Sequence, residues 1–347
     1  MAFYDGLFDA LGMGDWCATG STEGPMTMSQ LLAKSKGGAL ETPWWEIPFP
    51  SLDNLHESCK AIARTRDMTG GVEQIFLDIK KSLQFVLDPI TQPLSWLLDG
   101  SLFLFGSTPW WVLVPLILLL VFKVSRSVRV TVFVAISFFF LAFIDHYSYA
   151  IETLSIIFVC TLLSVLLGVP IGIAMSKNDV FQKSMIPVLD MLQTLPSFVY
   201  LIPLIFLFSV TESKLYGIAI ILYAIVPVIR LTDLGIRLVD KDVIEAANAF
   251  GMTPRQKLFG VEIPLALPNI MAGVNQTIMM ALAMVVIASM IGVKGLGQPV
   301  LKSITNQYFT MGLLNGLAIV AIAIMFDRVS QAYAKRTQKH LEGAQSG

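Results

Sequence analysis

Seven apolar stretches follow one another from residue 109 onward, separated by short polar connections, and they restrict the chain to a bundle of membrane-crossing helices. They run from Pro109 to Phe122, Val130 to Ile144, Leu154 to Met175, Met185 to Val210, Leu215 to Arg230, Pro268 to Val293 and Met311 to Phe326. A helix needs about 20 residues to cross a hydrocarbon core, with tilt absorbing differences in length. The expected fold class is therefore an all-α integral membrane protein of about seven spans. Composition agrees: 55% of the 347 residues are hydrophobic and 14% are charged, whereas a soluble domain carries about 25% charged residues.

Lysine and arginine collect on alternate connections. The groups are Lys123, Arg126 and Arg129; Lys177 and Lys183; Arg230, Arg237, Lys241, Arg255 and Lys257; and Arg328, Lys335, Arg336 and Lys339. Basic loops stay in the cytoplasm, so these connections and the C-terminus share the cytoplasmic side, and seven spans put the N-terminal tail outside. A net charge of −1 offers no basic footprint for nucleic acid. Cys17, Cys59 and Cys160 are scattered, with no spacing that suggests a disulfide framework or a zinc site. His56, His146 and His340 are equally dispersed, and neither a metal site nor a catalytic cluster is expected.

The first hundred residues differ in character. Residues 1–70 read as an irregular tail, with a Pro-Trp-Trp-Glu-Ile-Pro-Phe-Pro run at Pro43 to Pro50 that suits no helix or strand interior. Over 71–107 the text becomes amphipathic. Val72, Ile75, Phe76, Ile79, Leu83 and Val86 recur at three- and four-residue intervals, which predicts a helix lying along the membrane interface. Leu94 to Phe105, interrupted by Asp99 and Gly100, reads as a second interfacial or re-entrant piece. The bundle of apolar helices then occupies 108–330, and 331–347 form a cytoplasmic C-terminal tail. Within it Gly168 and Gly172 are spaced to let two helices approach closely. Pro170 between them favours a bend inside a packed bundle over a dimer seam.

The cytoplasmic loop 240–266 carries the most informative pattern. Glu245, Ala246 and Ala247 suit the start of a short helix, Gly251 permits a tight turn, and Thr253-Pro254 is a cap followed by a first-turn proline. The expected structure is helix, turn, helix. Glu245-Ala246-Ala247, Gly251, Val261, Ile263 and Pro264 resemble the coupling-loop motif of permeases in binding-protein-dependent ATP-binding-cassette importers, with Ile263 standing where leucine is usual. The stretches from Asp190 to Phe208 and from Ile263 to Val300 are similar to the glycine betaine, proline betaine and choline branch of that family.

The resemblance implies the transmembrane domain of a type I importer in the bacterial cytoplasmic (inner) membrane. It also implies a permease homodimer, a cytoplasmic ATPase subunit contacting the loop, and an extracytoplasmic solute-binding protein. No G-x-x-x-x-G-K-[ST] occurs, so the chain is expected to be non-catalytic and to bind no cofactor, with ATP and magnesium held by the partner ATPase. The proline-punctuated fourth stretch makes Thr194, Ser197, Phe198 and Tyr200 candidate pathway residues, since interrupted helices are tolerated where they line a cavity. The cargo is expected to be a small methylated amine or betaine-type osmolyte, such as glycine betaine, choline, proline betaine or trimethylamine N-oxide. The competing class, an ion-coupled secondary transporter, calls for ionisable residues in mid-membrane and a duplicated topology, and the sequence displays neither.

Overall fold

The computed structural model describes residues 4, 7–8, 10–18, 50–62, 65–209 and 211–345. Nearly all of the Pro43–Pro50 run lies outside the described residues. Those residues fall into two units, Met1–Val86 and Leu87–Gly347, and among them no strand is present.

The first unit contains two short helices, α1 (Gly14–Ala18) and α2 (Leu52–Ser58). Cys17 and Cys59 are joined by a disulfide with Cα atoms 4.5 Å apart, which corrects the expectation that no disulfide forms. The bond closes across 42 residues of sequence, so no local spacing advertised it. Cys160 is a free, buried thiol.

Helix α3 runs unbroken from Thr65 to Ser107, where the sequence suggested two pieces. Its interior prolines, Pro89 and Pro93, each remove one backbone donor. The Thr91 hydroxyl donates to the Leu87 carbonyl at 2.8 Å within that stretch. Ile75 and Ile79 point outward, 62% and 53% exposed. The residue that seemed to interrupt the apolar run has a docking role instead. Asp99 accepts hydrogen bonds from the hydroxyls of Ser95 and Ser213.

The larger unit continues with α4 (Trp110–Ser125), α5 (Val128–Phe143), α6 (Tyr147–Lys177), α7 (Asp179–Thr194), α8 (Ser197–Leu207) and α9 (Ser213–Arg237). The loop 240–266 supplies α10 (Lys241–Ala249) and α11 (Pro254–Lys257), followed by a π turn, Leu258–Glu262. Helices α12 (Ile263–Ala288), α13 (Gly297–Thr305) and α14 (Phe309–Gln345) complete the unit. Among the described residues four helical stretches are long and apolar enough to cross a membrane: Tyr147–Lys177, Ser213–Arg237, Pro254–Ile291 and Phe309–Arg336. Counting each sharply bent pair as one span gives up to six, and α5 is a shorter apolar helix. The fourth apolar stretch of the sequence is one of those pairs: α7 and α8 meet at 100°. The break sits where Leu195 adopts an extended conformation, as a residue preceding a proline tends to.

Helices α6, α9 and α12 form the centre of the bundle. Met175, Leu189, Val226, Val228 and Ile229 make one buried cluster, and Ile236, Ala266 and Ile270 a second towards the loop 240–266. Gly168 and Gly172 prove to be the seam between α6 and α9. A Cβ at Gly172 would lie 2.6 Å from the Ile229 carbonyl oxygen and 2.6 Å from the Thr232 Cβ, and one at Gly168 would lie 2.4 Å from Val228 Cγ1. Even Gly172→Ala should therefore force the helices apart and cost about 1–3 kcal/mol. The thermal midpoint of the purified protein should fall. Gly316→Ala, where nothing lies within 4 Å of the added carbon, should leave it unchanged. On an adjoining face of α9, α12 crosses so closely that a Cβ at Gly273 would be 3.0 Å from the Val228 Cα.

Candidate coupling site

The loop between α9 and α12 is ordered by three local devices. Asp240 caps α10 by accepting the Asp242 backbone N–H at 2.9 Å, so the helix begins four residues before Glu245, earlier than the sequence suggested. Glu245 and Ala246 are exposed in mid-helix, while Ala247 faces inward and is buried. The end of α10 is a Schellman turn. The Met252 N–H donates to the Ala247 carbonyl at 3.1 Å and the Gly251 N–H to the Asn248 carbonyl at 2.9 Å, the paired bonds by which a left-handed residue closes a helix. Gly251 is that residue, with φ +73°. No other atom comes within 4 Å of its hypothetical Cβ, so the backbone conformation, and no crowding inside the chain, sets its requirement.

The third device is a capping box. Thr253 accepts from the Gln256 N–H, and Gln256 Oε1 accepts from the Thr253 N–H at 2.9 Å, satisfying two donors at once. Lys257 Nζ then donates to Asn248 Oδ1 at 3.0 Å, tying the two short helices together. From Lys257 the chain passes through the π turn into α12 with right-handed helical angles at each junction. Val261 lies in the π turn, and Ile263 and Pro264 begin α12; all three are half-buried. Two aromatic side chains stand out on its surface: Phe250 is 86% exposed and Phe259 68% exposed. With Gly251, Met252 and Gly260 they line an open depression.

Sequence reasoning missed the polar ties beneath this segment. Glu262, in the π turn, forms an ion pair with Lys177 at the end of α6, with the carboxylate side chain only 5% exposed. Arg237, closing α9, donates to Asp233 at 2.9 Å, to Asp179 at 2.8 Å and to the Met175 carbonyl at 2.8 Å. Gln182 adds a bond to Asp233 at 2.6 Å. The base of the segment is thus linked to α6, and α6 to α7 and α9. The Asp233–Arg237 spacing, four residues apart on one helix, was a readable signal. The Glu262–Lys177 pair, between distant parts of the chain, left none.

The four candidate pathway residues gather at the bend between α7 and α8. Thr194 is the last residue of α7, Ser197 the first of α8, and Phe198 follows, 48% exposed. Tyr200 lies on α8 with its side chain outside the described part.

Residues 164–339, from the middle of α6 into α14, match the family described as the inner membrane component of binding-protein-dependent transport systems. The chain belongs to that family. It is 40% identical over 288 residues to the glycine betaine/proline betaine transport system permease protein ProW of Escherichia coli, covering 83% of this chain and 79% of that one. The glycine betaine/carnitine transport permease protein GbuB of Listeria monocytogenes is 37% identical over 253 residues, covering 72% and 89%. Among solved structures, an inward-facing MetNI methionine ABC transporter matches with a TM-score of 0.50 and 19% identity, over 54% of this chain and 93% of that one. This structural likeness speaks for the fold. The chain is a multi-pass inner-membrane permease component, and residues 245–264 lie wholly inside the matched region.

Proposed function

We propose that this chain is the translocation subunit of an ATP-driven importer for a betaine-type or methylated-amine osmolyte. The observation that carries the reading is the segment 245–264, exposed at Glu245, Phe250 and Phe259, ordered by its own caps and continuous with the central helix α12. Such a segment suits reception of motion from a separate ATPase subunit. Its aromatic tip, Phe250 and Phe259, offers rigid apolar anchors of the kind that dominate protein interfaces. The osmolyte class follows from the glycine betaine relatives at 37–40% identity.

In this reading two permease copies pair, two ATPase subunits bind and hydrolyse ATP with magnesium, and an extracytoplasmic binding protein delivers the solute. The permease itself contributes no hydrolytic group. ATP-driven closure of the ATPases pushes on the coupling segments and the bundle opens outward. Hydrolysis returns it inward. The bend at Thr194, Ser197 and Phe198 is the place on each copy where the solute path is expected to be lined.

The test is reconstitution of the permease with its ATPase and binding protein in sealed vesicles, followed by uptake of labelled glycine betaine. Accumulation should require ATP and binding protein and should survive dissipation of ion gradients. Uptake driven by a proton or sodium gradient without ATP would replace this reading with that of a secondary transporter.

A further inference from the structure

An apolar cavity of about 450 Å³ opens among α3, α4, α5, α6 and α14. Phe105, Ile117, Val121, Phe138 and Phe326 contribute to its wall, and Thr108 is the only wall residue bearing a polar side chain. That hydroxyl is already satisfied, donating to the Leu104 carbonyl at 2.6 Å. Leu116 and Leu120, on α4 beside the cavity, are 58% and 56% exposed. In a membrane-embedded bundle such a surface meets hydrocarbon.

The cytoplasmic end of the same helices is basic. Lys123 follows the cavity residue Val121 by two positions, Arg126 ends α4 and Arg129 opens α5, all three exposed. Arg336 reaches across from α14 and donates to the carbonyls of Lys123 and Val124 at 3.1 and 3.4 Å. Among the described residues none of these four cations pairs with a carboxylate. On the central helices α6 and α9 the pattern is the reverse, although Lys183, Lys241, Arg255, Lys257, Arg328 and Lys335 also lack a carboxylate partner among the described residues. Lys177 pairs with Glu262, Arg230 with Asp190, and Arg237 with Asp179 and Asp233.

We propose that this is a binding site for an anionic phospholipid of the cytoplasmic leaflet. An acyl chain enters the cavity beside Ile117 and Phe138, and the phosphodiester head group rests on Lys123, Arg126, Arg129 and Arg336. The charge argument selects the head group. Four cations that have no carboxylate partner among the described residues are complemented by a net negative lipid, whereas a zwitterionic head brings its own ammonium into the cluster. Apolar wall and basic rim are continuous along α4, which matches an amphiphile with its charge at one end. The site is independent of which solute is carried.

The experiment places the purified permease in nanodiscs of phosphatidylcholine containing a minority of phosphatidylglycerol and counts retained lipids by native mass spectrometry. The wild-type protein should enrich phosphatidylglycerol. Lys123→Gln/Arg126→Gln, both at exposed positions, should lower that enrichment on the order of tenfold or more. Ile117→Trp, which fills the cavity and leaves the charges alone, should reduce retained phosphatidylglycerol as well. Equal retention of the two lipids by the wild type, or enrichment unchanged in both variants, overturns the proposal. So does efficient cross-linking of Leu116→Cys between two permease copies, which would show the cavity covered by a second chain.

Discussion

Gly251→Val is expected to abolish both solute uptake and binding-protein-stimulated ATP hydrolysis in the reconstituted importer, while the permease remains in the membrane at normal abundance. The left-handed φ of +73° at this residue costs an L-residue with a Cβ about 1–2 kcal/mol, and a β-branched side chain is a still poorer occupant of that region. Valine relieves the strain by abandoning the Schellman turn, and with it the bonds from Gly251 to Asn248 and from Met252 to Ala247. Phe250 and Phe259 then lose their common orientation. Loss of about 1–3 kcal/mol at the docking surface weakens it about 5- to 150-fold. Insertion survives because the segment lies outside the apolar bundle. Gly251→Asn, which tolerates the left-handed conformation, should retain most of the coupled activity. Uptake, hydrolysis and membrane abundance measured together decide it: coupled transport near normal in Gly251→Val would remove the structural basis for the coupling assignment.

The second large effect is expected at the Lys177–Glu262 pair. Lys177→Met strands a carboxylate that is 5% exposed. Removing one partner of a buried pair costs about 3–5 kcal/mol, and because Lys177 is itself 44% exposed a figure of about 1–3 kcal/mol is expected after solvent screening. Lys177→Met/Glu262→Met should recover the lost stability, since apolar residues replace buried ion pairs at little cost. It should not recover transport, because the tie between the π turn and α6 stays cut. Thermal midpoints and uptake of the two single variants and the double variant separate these contributions. A double variant that transports normally would show the pair to be a structural fixture with no part in transmission.

The helical, membrane-spanning character of the chain was legible because apolar runs and alternating basic connections are properties of contiguous sequence. The coupling turn was legible for the same reason: Gly251, Thr253 and Pro254 act on their immediate neighbours. What sequence reasoning missed depends on distant partners. Cys17 meets Cys59 across a long gap, and Glu262 meets Lys177 across 85 residues. Asp99 looked like an interruption of the apolar run until Ser213 arrived to bond it. The start of α10 was misplaced for a smaller reason: Asp240 and Glu245 are both acidic, and the motif drew attention to the wrong one as the helix opening.

From Pro254 to Ile291 the chain is a single helical rod, about 55 Å long at 1.5 Å per residue. Its close crossings with α9 fall at Gly273 and at Asn269, where a Cβ on Gly235 would lie 2.8 Å from the Asn269 Cβ, both near its midpoint. A rod that rocks on its midpoint is a lever with equal arms. Whatever sideways travel is imposed on the cytoplasmic end reappears at the far end with the opposite sign and about the same size. For a rod rocking about those contacts the gearing ratio would be close to one, and an inward stroke at its cytoplasmic end would become an outward stroke of about equal reach at the other end.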